Sequence, residues 1–207
     1  MNAFVVKICG LTRAEDVIGC AEAGADFTGF IFAAKSPRRV TPEHVATLPR
    51  ATAKRVGVFV EQTLDEVLAI MDAAGLDLAQ LHGDQSPEFC RAVGPERVIR
   101  AFWPRKHADI PGLAEAMTPF AGAIRYALLD AGIAGGGHGQ TLDFQTLGEL
   151  AAPMPWLLAG GLGPDNLVEA VRLARPHGVD LNSGVEASPG LKELAKVRRS
   201  LWAVRGS

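Results

Sequence analysis

The chain has little cysteine, no surplus of positive charge and no long apolar run. Its three cysteines, Cys9, Cys20 and Cys90, form an odd, widely spaced set without a CxxC pair. That excludes a disulfide framework and argues against a structural zinc site. With 21 Lys+Arg against 23 Asp+Glu, the formal net charge is −2. The cationic excess of a phosphate-backbone binder is missing, so nucleic acid is not an expected partner. No apolar stretch reaches the ~20 residues of a membrane span, so no membrane association is expected. The apolar run at the start contains Lys7, follows no basic leader and precedes no small-residue cleavage site, so it does not read as a signal peptide. A reducing cytoplasm is the expected compartment.

What is present is an ordinary globular composition, 48% hydrophobic and 21% charged over 207 residues. Runs rich in Val, Ile, Leu and Phe recur at 4–8, 27–32, 55–60, 76–81, 98–102, 126–129, 156–159 and 179–181. Continuous rather than alternating apolar runs suit parallel strands buried on both faces. Segments of helical spacing lie between them, among them 13–23, 64–74, 87–93, 166–173 and 191–202. Thr12, Thr41, Thr63 and Ser86 stand where helix caps are expected, and Pro42, Pro87 and Pro164 suit a first helical turn.

Eight strand–helix units at a repeat of roughly 25 residues argue for a closed (β/α)8 TIM barrel over an open doubly wound sheet. No linker or composition shift divides the chain, so the reading is one α/β catalytic domain over residues 1–207. At roughly 26 residues per unit, little is left for inserted lids or a fused partner enzyme. The fifth unit, 103–119, carries two prolines and poor periodicity, which predicts a short or irregular helix.

In such a barrel the site is built by loops after the carboxyl ends of the strands. Gly160-Gly161-Leu162-Gly163 after strand seven and Asn182-Ser183-Gly184 after strand eight read as a phosphate site, because glycine lets backbone N–H groups come close to an anion. Either group alone reads equally well as a tight turn. Cys9 ends strand one on the predicted rim. Lys7, two residues earlier on the same face, favours a thiolate if it is close and charged. Alternatively, Lys7 is a core lysine paired to a carboxylate such as Asp180. Asp130 ends an apolar run: it reads either as a carboxyl whose pKa desolvation raises, making it a proton donor, or as a cap or salt-bridge partner, the commoner fate of an acid at a strand end. A thiol facing a carboxyl group across a barrel mouth is an acid/base pair that needs neither cofactor nor metal.

The chain resembles the phosphoribosylanthranilate isomerase family of tryptophan biosynthesis. The resemblance is carried, in order, by Val6-Lys7-Ile8-Cys9-Gly10-Leu11-Thr12, Gly29-Phe30-Ile31-Phe32, Ser36-Pro37-Arg38-Arg39-Val40, Val56-Gly57-Val58-Phe59, Gln80-Leu81-His82-Gly83, Leu128-Leu129-Asp130, Leu158-Ala159-Gly160-Gly161-Leu162 and Ser183-Gly184-Val185-Glu186. It implies a (β/α)8 barrel that isomerises a phosphosugar by an Amadori rearrangement, with Cys9 as general base and Asp130 as general acid. It further implies Arg38 on the anthranilate carboxylate and Gly160, Gly161, Ser183 and Gly184 at the phosphate, with His82 and Asp180 also contacting substrate.

Two departures stand out. Where the family's strand-six loop usually reads Gly-Gly-Thr-Gly-Lys-Thr, this chain has His138 and Gln140 in place of Thr and Lys, and it has Asn182 where Ser is common. The rival readings are the related isomerase of histidine synthesis, against which Cys9 in place of an acid speaks, and a catalytically silent phosphosugar-binding barrel. Monomer and homodimer both remain open.

Overall fold

The computed structural model describes residues 4–130 and 144–206. Eight parallel strands close in chain order: β1 (Val5–Ile8), β2 (Phe27–Ile31), β3 (Lys54–Phe59), β4 (Leu78–Leu81), β5 (Val98–Phe102), β6 (Tyr126–Asp130), β7 (Trp156–Ala159) and β8 (Gly178–Leu181). β8 pairs with β1 in parallel, setting Lys7 beside Asp180 and closing the barrel. The helices on the outside are α1 (Ala14–Glu22), α2 (Pro42–Thr47), α3 (Leu64–Ala73), α4 (Pro87–Val93), α5 (Ile110–Met117), α6 (Phe144–Leu147), α7 (Leu167–Ala174) and α8 (Leu194–Arg205). Among the described residues no helix is long and apolar enough to cross a membrane.

Side chains alternate across each strand, so every strand serves two packings. Outward residues such as Val6, Ile8, Phe30, Phe59, Leu81, Leu129 and Leu158 pack with the helices in one shell. Inward residues Val5, Phe27, Val56, Leu78, Ile99, Tyr126 and Leu157 form a separate plug in the lower barrel. Both faces are dry, which is why the strands read as unbroken apolar runs.

Short helices need their ends satisfied. Thr41 and Ser86 each accept a backbone N–H at the start of α2 and α4, with proline in the first turn, and Thr63 forms a reciprocal capping box with Glu66 at α3. The buried Arg55 guanidinium donates to the carbonyls of Val45, Leu48, Pro49 and Ala74, closing the carboxyl ends of α2 and α3. In the fifth unit, α5 is eight residues long and stands between two 3-10 turns, Pro104–Lys106 and Thr118–Phe120. This is the irregularity its prolines predict.

Three local expectations differ from the structure. Thr12 does not cap α1; its hydroxyl donates to the Gly190 carbonyl, while the extended residue before the helix is Arg13. Pro164 lies in a turn ahead of α7, which begins only at Leu167. The last apolar-periodic segment does not start a helix at Leu191. Residues there form an antiparallel hairpin, β9 (Glu186–Ser188) and β10 (Leu191–Lys192), and α8 starts at Leu194. Tertiary pairing overrides helical spacing because Glu186 and Lys192 are drawn into one buried ion pair.

Candidate active site

At the carboxyl ends of the strands the inward residues change character, and a hollow of about 400 Å³ opens. Cys9 packs with Ile31, Ala33 and Val58 in an apolar patch of the lining, and Gln80, His82, Asp130 and Asp180 supply polar groups. Gly160, Gly161, Asn182 and Ser183 edge it from β7 and β8. Of the residues singled out from sequence, Cys9, His82, Asp130, Gly160, Gly161, Asp180 and Ser183 therefore share one cavity. Arg38 and Gly184 stand beside it rather than in its lining. The segment carrying His138 and Gln140 lies outside the described residues. Among the described residues no cluster of His, Cys, Asp and Glu is set to hold a metal ion.

Cys9 is held by its backbone N–H donating to Leu181 at 2.8 Å. Its thiol shares a niche with the Lys7 ammonium. A Cβ at Gly29 would lie 2.8 Å from Cys9 Sγ and 3.1 Å from Lys7 Nζ, so glycine on β2 is what gives both groups room. Lys7 is 0% exposed, and its Nζ donates to both oxygens of Asp180 at 2.9 Å each. Burial alone opposes its charge, yet Asp180 and Cys9 outweigh burial and hold the Lys7 pKa above its ordinary value. The Cys9 thiol is pushed up by burial; the nearby charges of Lys7 and Lys192 pull it down without cancelling that rise. Lys7 is thus the paired core lysine of the second sequence reading, while standing close enough to Cys9 for its charge to favour the ionised thiol. Cys20 and Cys90 are fully buried away from the cavity, their thiols pushed up to about 12 and about 11 chiefly by burial.

A second ionic group sits beyond Gly10, where a Cβ would collide with Asn182 Oδ1 and Arg38 Cδ at 2.6 and 2.7 Å. Arg38 donates through Nε and Nη2 to the Glu186 carboxylate, at 2.8 and 2.6 Å for the shortest contacts. Lys192, buried beneath, donates to Glu186 at 2.9 Å and to Asn182 Oδ1 at 3.0 Å. Burial would raise the Glu186 carboxyl, but the hydrogen bonds from Arg38 and Lys192 prevail and hold it below the usual range. Neither Glu186 nor Lys192 was singled out from sequence. Lys192 fell inside a segment that reads as helix, and only the hairpin turns it toward Glu186.

On the far side, His82 Nε2 stands 3.6 Å from Asp130 Oδ2. Gln80 meets His82 Nδ1 at 3.2 Å, and the Trp103 ring abuts the imidazole edge-on at 5.3 Å between centroids. Cys9 directly after β1 and Asp130 at the end of β6 are three strands apart around the barrel, with β7 and β8 between them.

The two glycine loops meet on that intervening arc. Gly160 and Gly161 have φ of 103° and 63°, the left-handed region that glycine enters without strain. A Cβ at Gly184 would lie 2.1 Å from the Leu162 carbonyl oxygen, so the loops after β7 and β8 touch backbone to backbone. Asn166 fastens the first loop, accepting from Gly163 N–H and donating to the Gly161 carbonyl. A larger hollow of about 870 Å³ lies at the opposite, amino end of the barrel. Asp26 on its wall serves the fold, accepting from Val6 N–H and pairing with Arg205.

Residues 6–202 match the family model described as N-(5'phosphoribosyl)anthranilate (PRA) isomerase. The chain is 46% identical over 202 residues to the N-(5'-phosphoribosyl)anthranilate isomerase of Maridesulfovibrio salexigens, covering 98% of each. Its fold is similar to the crystal structure of phosphoribosyl anthranilate isomerase from Thermotoga maritima, with a TM-score of 0.86 and 31% identity over 99% of this chain and 100% of that one. It is also similar to phosphoribosyl anthranilate isomerase solved in complex with reduced 1-(o-carboxyphenylamino)-1-deoxyribulose 5-phosphate, with a TM-score of 0.81, 31% identity and coverage of 99% and 100%.

Proposed function

The chain belongs to the N-(5'-phosphoribosyl)anthranilate isomerase family, and we propose that it carries out that isomerisation in tryptophan biosynthesis with Cys9 as general base and Asp130 as general acid. The observation that carries this reading is the convergence of a thiol and a carboxyl group on one small cavity, from strands three apart, with two touching glycine loops at its edge. A phosphorylated aminosugar lying between them needs a proton delivered at one end of the reacting segment and a proton taken at another.

The chemistry divides as follows. Asp130, in its protonated form, gives its proton to the furanose ring oxygen as the anthranilate nitrogen pushes its lone pair to C1, so the C1–O bond breaks and an iminium ion forms. The iminium acidifies the proton on C2. Cys9, as thiolate, takes that proton, and the C2–H electrons form the enolamine, which tautomerises to the ketone. A buried thiol has a small thiolate fraction near neutral pH, but the thiolate it forms is the stronger base, which suits a carbon acid. Lys7 shares the niche, and its ammonium compensates the charge as the thiolate appears.

Glu186 holds Nε and Nη2 of Arg38, fixing the guanidinium beside the cavity, where its charge suits the anthranilate carboxylate. Ile31, Ala33 and Val58 suit the flat aromatic ring. The glycine loops at 160–161 and 183–184 suit the phosphate, and His82 and Asp180 complete the substrate's polar surroundings. Three free buried cysteines favour a reducing, cytoplasmic setting.

The test is to generate phosphoribosylanthranilate in place and follow loss of its fluorescence on adding this protein. Acceleration over spontaneous decay is expected; its absence would sink the reading.

A further inference from the structure

Gln80 is 2% exposed and lines the cavity from β4, one pleat below His82. One end of its amide meets His82 Nδ1. The other, Oε1, is buried with no hydrogen-bond partner among the described residues. Folded proteins rarely keep such an atom, because it loses its hydration without compensation. Leu128, which lines the same cavity from β6, shows that an apolar side chain packs at this depth. An amide kept there has another use.

We propose that Gln80 is a substrate-contacting residue whose unpartnered amide end binds a hydroxyl of the sugar segment once substrate fills the cavity. This rests on the isomerase reading above. Under that reading the charged ends of the substrate are met elsewhere: the phosphate at the loops after β7 and β8, the carboxylate at Arg38. What lies over β4, beside His82 and Asp130, is the hydroxylated middle. A hydroxyl both donates and accepts, so it satisfies whichever end of the amide faces it. The bond to His82 then makes Gln80 doubly placed: it orients the imidazole beside the acid and holds the sugar carbon chain that the acid opens.

The test compares wild type with Gln80→Met, which keeps the shape and removes both polar ends. Because an orphaned atom is removed and half-exposed His82 can turn to water, Tm is expected to stay or rise. The Kd for reduced 1-(o-carboxyphenylamino)-1-deoxyribulose 5-phosphate is expected to weaken about tenfold, kcat/KM to fall at least about tenfold, and the affinity for inorganic phosphate to stay unchanged. Unchanged Kd and kcat/KM, or a fall in Tm with phosphate affinity falling alongside, overturns the proposal. If the variant does not fold, wild type labelled with 15N-glutamine decides. The Gln80 side-chain amide should shift with the reduced compound and not with inorganic phosphate, and no shift overturns the proposal. A wild type that neither binds the compound nor consumes substrate overturns the isomerase reading and this one together. A wild type that does both, with the variant unaffected, overturns only the role of Gln80.

Discussion

The lower and upper halves of the barrel interior are lined by the same strands, residues two apart, and differ in chemistry: hydrocarbon below, charges and an amide set among apolar residues above. Below, Val5, Phe27, Leu78, Ile99 and Leu157 fill the barrel with hydrocarbon. One pleat above stand Lys7, Gln80 and Asp180, and at the rim Cys9, His82 and Asp130. The lower plug stabilises by burial alone, at about 25 cal/mol per Å² of apolar surface. The upper layer removes charges and amides from water and must answer each one by a partner. The difference shows how one fold separates stability from chemistry along a single strand.

The sharpest way to break the contrast is to compare a cavity below with an unpaired charge above. Lys7→Met leaves Asp180 buried without its counter-charge, and a loss of about 3–5 kcal/mol is expected in denaturant unfolding. Adding Asp180→Leu should restore part of that stability, since two matched apolar groups replace two charges. Leu157→Ala should cost about 2–5 kcal/mol while leaving kcat of the folded fraction near wild type. If Lys7→Met proves no less stable than wild type, the upper layer is not the costly one.

The next effect is on turnover. Asp130→Asn and Cys9→Ala should each lower kcat at least roughly a hundredfold with little change in Tm. The active form holds Asp130 protonated and Cys9 ionised at once, so the two ionisations offset one another between their pKa values, and because burial raises the Cys9 pKa the alkaline limb of kcat/KM should lie above the ordinary thiol value. The Cys9→Ala variant should lack that limb, and a flat wild-type profile would remove Cys9 as the titrating base.

The smallest expected effect is at Glu186, outside the cavity. Glu186→Gln should raise KM about tenfold and alter kcat less, since it frees Arg38 rather than removing it. Its folded pKa lies below the ordinary carboxylate value, so its contribution to stability is present above about pH 4.3 and fades as pH falls through the folded value. Thermal melts from pH 6 to 3 should show a steeper acid loss in wild type than in the variant.

Most of the architecture was legible because strand burial and helix capping are local properties. The runs 98–102 and 156–159 coincide with β5 and β7, and Thr63 caps α3 as its spacing to Glu66 predicts. The hairpin at β9 and β10 was not legible, since its residues obey helical spacing and only an ion pair distinguishes them. Within the candidate site, residue types at strand ends pointed to Cys9 and Asp130. Nothing in the sequence order pointed to Gln80 as an orphan, because its environment is made by other strands.

By itself, then, the sequence determined the eight units, their closure into a barrel and the strand ends where reactive groups stand, since continuous apolar runs and the helical spacing between them are written in neighbouring residues. The tertiary structure decided what state those groups are in. Lys7 meets Asp180 across a separation of 173 residues, and Arg38 meets Glu186 across 148. A pKa or a hydrogen bond depends on distance and burial in space, and barrel closure alone brings β8 and the hairpin after it back to β1.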